Sequence, residues 1–337
     1  MESEKLRDQL CGCYVTLPTM FRDEDLSLDV PAIRRHVRYL IESGIRMGTG
    51  VLLAGGGAGD FSTLTFDERV LVTEAVVEEA NGDVPVVMGA QTTSTLELVE
   101  LVRAADRIGA DYVQVSPPYY FAHTEEDFFE HIAAAAEECR VGLVVYNTFW
   151  TSTPVSLGLI ERLAHIPNVV GLKWSTPDTG FMEFEQVVAR FAGSLSVIDN
   201  QLRFATSHML GARGIEVHVC NYWPQWGIRM WELLESEQYV EAQRELVRVA
   251  MPFMALWHEM EAYTGGDGHL DKLCMELVGL GSSRCRPPTR DVRDVFRDSA
   301  RRMLQQSGVP VAGPLSDPVR GLPGEPVEAV VDVPGPP

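Results

Sequence analysis

The chain has 337 residues, with 28 basic against 48 acidic side chains and a formal net charge of −20; at roughly 100–200 residues per domain this allows one large domain or two ordinary ones. Such acidity argues against nucleic acid and against an anionic membrane surface as partners, since both require a basic face. With 45% apolar and 23% charged residues, and no apolar run near the roughly 18 residues of a membrane span, the composition is that of an ordinary globular protein.

From the N-terminus, Met1 to Gln9 is charged and lacks an apolar stretch, so it reads as an extension and not as a secretory signal. Short β-branched runs then alternate with amphipathic helical stretches. The predicted strands are Gly12–Leu17, Thr49–Leu53, Val84–Gly89, Tyr112–Ser116, Gly142–Tyr146, Val169–Lys173, Leu195–Asp199 and Gly214–Val219. They are continuously apolar, as suits strands buried on both faces of a parallel sheet. The intervening helices carry start signals: Pro31 in a first turn, and Thr65 with Glu68 and Thr124 with Asp127 as capping boxes. Gly44, Gly82, Gly109 and Gly193 mark their ends. This pattern predicts an α/β fold, a (β/α)8 TIM barrel over residues 10–225. A doubly wound open sheet is the alternative, but no GxGxxG follows the first strand. Pro224–Ala262 and Asp271–Gln306 add a C-terminal helical appendage, given the bounds 226–308. The tail 309–337 holds 8 of the 20 prolines and reads as disordered.

The six cysteines form no CxxC pair, so neither a disulfide framework nor a cysteine zinc site is expected, and a reducing cytoplasm fits. Histidines and carboxylates lack a metal-ligand spacing, so no metal is expected.

In a barrel of this kind functional groups sit at the C-terminal ends of strands. Only three of the 28 basic residues are lysines: Lys5, Lys173 and Lys272. Lys173 closes an apolar strand, where desolvation lowers an amine's pKa and fits it to attack a ketone and form an imine. Snorkelling to water is the plain alternative. Lys5 and Lys272 are expected to be solvated. Tyr146 ends the preceding strand, beside Lys173, where a phenol can relay protons; an aromatic cap on the barrel core is its alternative. Gly55-Gly56-Gly57-Ala58-Gly59-Asp60 follows the second strand. It is either a tight turn or an anion nest for a carboxylate; lacking Lys-Ser/Thr, it is no nucleotide P-loop. Ser116-Pro117-Pro118-Tyr119-Tyr120 follows the fourth strand and is stiffened by its prolines. On the eighth strand Glu216 and His218 are either an acid/base pair or an internally satisfied polar pair, and Asp199, ending the seventh, is a similar candidate.

The glycine turn, the Pro-Tyr-Tyr loop, Tyr146-Asn147, Gly171-Leu172-Lys173, the segment from Asn221 to Pro224, and Arg286-Pro287-Pro288 occur in an order that resembles the pyruvate-type class I aldolases. That superfamily includes dihydrodipicolinate synthase, N-acetylneuraminate lyase, 5-dehydro-4-deoxyglucarate dehydratase and the aromatic hydratase-aldolases. The resemblance spans about Leu10 to Gly308. It implies that Lys173 is the imine-forming lysine, Tyr146 the proton-relay phenol, and Gly57 and Ala58 the carboxylate-binding pair. It makes Tyr120 a residue that reaches a neighbouring subunit's site. It further implies a covalent imine in place of a cofactor, a homo-oligomer (tetramer or dimer), and a 2-oxo acid and an aldehyde as small-molecule partners.

The departures narrow this. Many members have Gly-Thr-Thr-Gly-Glu where this chain has Gly56-Gly57-Ala58-Gly59-Asp60, so the threonine-to-tyrosine relay of the synthase cannot form. The segment after Asn147, Thr148-Phe149-Trp150-Thr151-Ser152, lacks the synthase's arginine. Phe149, Trp150 and Trp174 suggest an apolar or aromatic aldehyde, although Trp174 by strand alternation faces outward. Thr148, Trp150, Glu216 and His218 are, with Gly57 and Ala58, the expected substrate-binding residues. The expected activity is that of a lyase making or breaking a C–C bond beside the carbonyl of a 2-oxo acid such as pyruvate. The alternatives are a dehydratase of a sugar-derived 2-oxo acid and a non-catalytic relative that binds a 2-oxo acid.

Overall fold

The computed structural model describes residues 2–148, 155–176 and 183–311. Eight strands close a parallel barrel in sequence order: β1 Gly12–Thr16, β2 Gly50–Ala54, β3 Val86–Gly89, β4 Tyr112–Val115, β5 Gly142–Asn147, β6 Val169–Trp174, β7 Ser196–Asp199 and β8 Gly214–Glu216. The predicted barrel with appended helices is what forms. Strand alternation sorts the side chains. Tyr14, Val51, Leu53, Val87, Tyr112, Val144, Val170 and Ile198 fill the interior, while residues of opposite parity, such as Val113 and Val115 on β4, join the layer under the helices. On β6 a register shift against β5 at Val170 lets Leu172 and Trp174 join that outer layer too. Each large apolar side chain so buried contributes about 1.5–3 kcal/mol.

The helices begin where their capping chemistry dictates. In Phe66–Ala80 the Thr65 hydroxyl accepts from the Glu68 N–H and the Glu68 carboxylate accepts from the Thr65 N–H. Thr124 and Asp127 repeat this reciprocal cap at Glu125–Ala136. Pro31 lies in the first turn of Val30–Glu42. At the N-terminus, Glu2–Gln9 is helical and lies across the bottom of the barrel. There Leu6 packs on the interior cluster and the Tyr112 hydroxyl donates to the Leu6 carbonyl at 2.6 Å.

Strand β8 is shorter than predicted. Its pairing stops at Glu216, and His218–Asn221 turns as a short 3-10 helix. That turn lifts His218 off the strand, so it does not continue the alternation expected for it. The chain then runs through the helix Pro224–Glu235, which packs on β1, and the helices Tyr239–Glu245, Met251–Glu261, His269–Leu277 and Arg293–Gln306. Arg286 ties this region back to the barrel: its guanidinium donates to both Glu68 carboxylate oxygens, at 2.7 and 2.8 Å, and to the Thr63 carbonyl at 3.0 Å. No helix among the described residues is long and apolar enough to cross a membrane.

Candidate active site

Tyr146 and Lys173 are register partners on β5 and β6. Both point inward at the C-terminal end of the barrel, and the Lys173 Nζ lies 4.9 Å from the Tyr146 ring centre and 5.1 Å from that of Tyr14. The lysine side chain is 6% exposed. Burial lowers its pKa, and the carboxylates of Glu216 and Asp267 oppose that shift. Burial pushes the Tyr146 phenol well above its ordinary value; the Asp267 charge adds to this, and hydrogen bonds with Thr148 and Asn200 work against it. The lysine is therefore shielded from water and offset towards the neutral amine, while the phenol holds its proton.

Glu216 ends β8 with its Oε1 3.9 Å from Lys173 Nζ, and it accepts from the Thr16 hydroxyl at 3.3 Å. His218 follows, with Nε2 3.6 Å from Glu216 Oε2 and Nδ1 3.0 Å from Asp271 Oδ2. Its ring stacks on Phe253. Burial would lower the His218 pKa, but Glu216, Asp271 and Asp267 together raise it well above the ordinary imidazole value. That direction favours its protonated form. Asp271 also accepts from the Asn221 amide at 3.0 Å, and that amide donates to the Thr16 carbonyl at 2.9 Å.

The glycine turn after β2 lies opposite, covered by the loop Gly265-Gly266-Asp267-Gly268 of the appendage. A Cβ at Gly57 would fall 2.6 Å from Asp267 Oδ2, and one at Gly268 would fall 2.2 Å from the Ala58 carbonyl oxygen. Two glycines thus permit the contact, one on each side. Burial pushes the Asp267 carboxyl up to about 6; the His218 cation works against that, and Asp271 and Glu216 add to it. Trp257 Nε1 donates to the Asp267 carbonyl at 3.2 Å and fixes the loop from outside.

A cavity of about 560 Å³ opens from this cluster. Glu216, His218 and Asp267 form one end; Ser175, Thr176, Asn200 and Gln201 give a polar side, and Trp226, Phe253, Met254 and Trp257 an apolar side. No lysine or arginine lines it among the described residues.

Several expected residues lie elsewhere. Trp174 is fully buried in the helix layer and is not among the cavity's lining residues; among the described residues the tryptophans that line it are Trp226 and Trp257 of the appendage. Thr148, by contrast, is buried at the site, hydrogen-bonded to Tyr146 and receiving the Ser175 hydroxyl at 3.3 Å. Tyr120 is 85% exposed with φ +83°, against Phe121 and away from this chain's own lysine. Asp199 faces the helix layer, accepting from Ser207 Oγ at 2.6 Å and the Gln201 N–H at 2.7 Å, which is the internally satisfied arrangement. Phe149, Trp150 and the tail from residue 312 lie outside the described residues. Lys5 is exposed, but Lys272 is not: it is 1% exposed and paired with Asp60, which overturns its expected solvation.

Sequence reading missed Asp267 and Asp271. The signal was present, since Gly-Gly-Asp-Gly interrupts an otherwise helical region, and such a run marks close backbone approach. Among the described residues no group of histidine, cysteine and carboxylate side chains has a metal-binding arrangement.

Residues 9–307 match the model of the dihydrodipicolinate synthetase family. The 4-hydroxy-tetrahydrodipicolinate synthase of Methanopyrus kandleri is 32% identical over 316 residues, covering 89% of this chain and 97% of that one. An uncharacterized DapA-like lyase of Thermococcus onnurineus is 27% identical over 304 residues, covering 88% and 98%. Among solved structures, the chloride-inhibited dihydrodipicolinate synthase of Acinetobacter baumannii complexed with pyruvate superimposes with a TM-score of 0.73 at 25% identity, covering 89% of this chain and all of that one.

Proposed function

We propose, from the premise that this chain belongs to the dihydrodipicolinate synthetase family, that it is a lyase of the class I aldolase type, acting on a 2-oxo acid through an imine on Lys173. The observation that carries this reading is the pairing of Tyr146 and Lys173 at neighbouring strand ends, with the amine buried and its pKa lowered. The neutral amine adds to C2 of the 2-oxo acid, water leaves, and the protonated imine draws electrons from the C3–H or the C3–C4 bond. That bond is then broken or made, and Tyr146 gives or takes the proton. The backbone of Gly57 and Ala58 receives the C1 carboxylate, as the resemblance implies.

The second substrate is an uncharged aldehyde with an apolar or aromatic body. Support comes from the apolar Trp226, Phe253, Met254 and Trp257 in the cavity lining and from the absence of lysine and arginine along its described walls, where the His218 ring is already engaged by Glu216 and Asp271. Residues 149–154 and 177–182 contribute no lysine or arginine to the sequence either. A semialdehyde or sugar diacid would bring a second carboxylate beside Glu216 and Asp267 with no lysine or arginine to receive it, and with His218 already shared between Glu216 and Asp271. The polar side, Ser175, Thr176, Asn200 and Gln201, favours a second reading: dehydration of a hydroxylated 2-oxo acid by the same imine chemistry.

Borohydride reduction in the presence of pyruvate tests the shared step. The expected result is a covalent adduct on the peptide containing Lys173, and no adduct with pyruvate or any other 2-oxo acid would end the reading. Turnover of a panel of neutral aromatic, polyhydroxylated and carboxylated aldehydes then separates the two second substrates; preference for the carboxylated aldehydes would reject an uncharged one. An adduct without turnover anywhere on the panel would indicate the non-catalytic relative.

A further inference from the structure

The glycine turn lacks both hydroxyls of the family's relay, yet the space they would use is not empty. The Asp267 Oδ2 stands 2.6 Å from the position a Gly57 Cβ would take. The loop that carries it is held at two points: Gly268 packs against the Ala58 carbonyl and Trp257 Nε1 donates to the Asp267 carbonyl. Asp267 also lines the cavity with Glu216 and His218. It is close enough to Lys173 and Tyr146 for its charge to act on both. A carboxyl has thus been brought from the appendage to the side of the site where a side-chain acid is missing.

We propose that Asp267 is a catalytic acid–base residue, protonating the departing C2 hydroxyl as the Lys173 imine forms and taking that proton back when the imine is hydrolysed. This rests on the Lys173 imine reading and adds to it the identity of the acid. In the first step the N–C2 bond forms and one amine proton passes to the C2 oxygen, giving a neutral carbinolamine. Asp267, as the neutral acid, then gives its proton to that hydroxyl; the C2–O bond breaks, water leaves, and the nitrogen lone pair closes the C=N bond. The products are a cationic imine, one water and the Asp267 carboxylate, so charge and atoms balance.

The groups facing Asp267 set its proton affinity. Lys173 on β6 and His218 after β8 favour its carboxylate; Glu216 on β8 and Asp271 on the helix His269–Leu277 favour its acid form, as burial does. The C1 carboxylate of a bound 2-oxo acid at Gly57 and Ala58 adds one more negative charge beside it, so binding itself drives Asp267 towards the protonated form that the step needs. Tyr146 remains the donor or acceptor at C3.

The test is the rate of imine formation, followed by quenching with borohydride and reading the pyruvate adduct on Lys173 by mass, as a function of pH. Asp267→Asn is expected to slow the approach to the adduct by about 10²-fold or more, to leave its final extent unchanged, and to remove the loss of rate that wild-type enzyme shows above its acid limb. A second comparison does not depend on that variant. Gly57→Thr alone is expected to be slow, because its Cβ meets Asp267, whereas Gly57→Thr in an Asp267→Ala background is expected to be at least tenfold faster than Asp267→Ala alone, the new hydroxyl using the vacated space. Wild-type rate and pH dependence in Asp267→Asn, or no recovery in the double variant, would overturn the proposal. A wild-type protein that forms no adduct at all would instead overturn the imine reading beneath it.

Discussion

The Lys272 Nζ lies 2.7 Å from Asp60 Oδ2, with the two side chains 1% and 7% exposed. Asp60 closes the glycine turn with a left-handed backbone at φ +56°, and Lys272 belongs to the helix His269–Leu277. Their ion pair, with the Phe21 ring 4.6 Å from the ammonium, fixes the turn to the appendage. Lys272→Met leaves Asp60 buried without its partner, and breaking a buried pair from one side costs about 3–5 kcal/mol. Urea unfolding is expected to show that loss. Adding Asp60→Asn to Lys272→Met is expected to recover part of it, and a single variant as stable as wild type would show that the pair does not hold the turn.

Lys173→Arg keeps a cation against Glu216 but cannot form an imine. Borohydride trapping with pyruvate is expected to vanish, even though Lys5 and Lys272 remain. An adduct that persists in this variant would place the chemistry on one of them.

Tyr146→Phe removes one hydroxyl next to an intact amine. Trapping on Lys173 is expected to survive, while kcat falls by about 10²–10⁴-fold, the usual worth of a positioned proton donor. Equal loss of both readouts would mean that Tyr146 orders the lysine and does not relay protons.

Asp199 carries a pH signature of its own. Burial raises its carboxyl from 3.8 to about 6, against hydrogen bonds from Ser207 and the Gln201 backbone. Between those values the folded chain binds more protons than the unfolded one, so this residue's contribution falls as pH rises from about 4 to about 6. Two pKa units correspond to about 3 kcal/mol. Asp199→Asn is expected to be relatively more stabilised above pH 6 than at pH 4. Parallel wild-type and variant stability curves across that range would contradict the assignment.

Much of the barrel was legible because its information is local. Each strand is a short apolar run between capped helices, and closing the sheet in chain order follows from that repetition. Tyr146 and Lys173 were legible for the same reason: a strand end is a position that a sequence displays. Asp267 was not, because nothing near residue 267 refers to the turn at residue 57, and only packing of the appendage brings them together. Lys272 was misread on similar grounds. Its helix looks solvated by composition, but both its partner Asp60 and the Phe21 ring lie more than 200 residues earlier in the chain. Strand β8 was overextended because Val217 and Val219 continue the β-like pattern, and the 3-10 turn at His218 leaves no mark in hydropathy.

The loop Gly265-Gly266-Asp267-Gly268 also bears on the order in which the molecule can be assembled. All eight strands are complete by Glu216, so in a chain growing from its N-terminus every strand residue, Lys173 and Tyr146 included, is made before residues 267 and 271. Until the later residues are in place, the amine at the end of β6 has Glu216 beside it but neither the Asp267 carboxylate nor the roof over the glycine turn. The proposed acid, Asp267, reaches the site only when the appendage docks, so on that proposal turnover reports completed folding as well as catalysis.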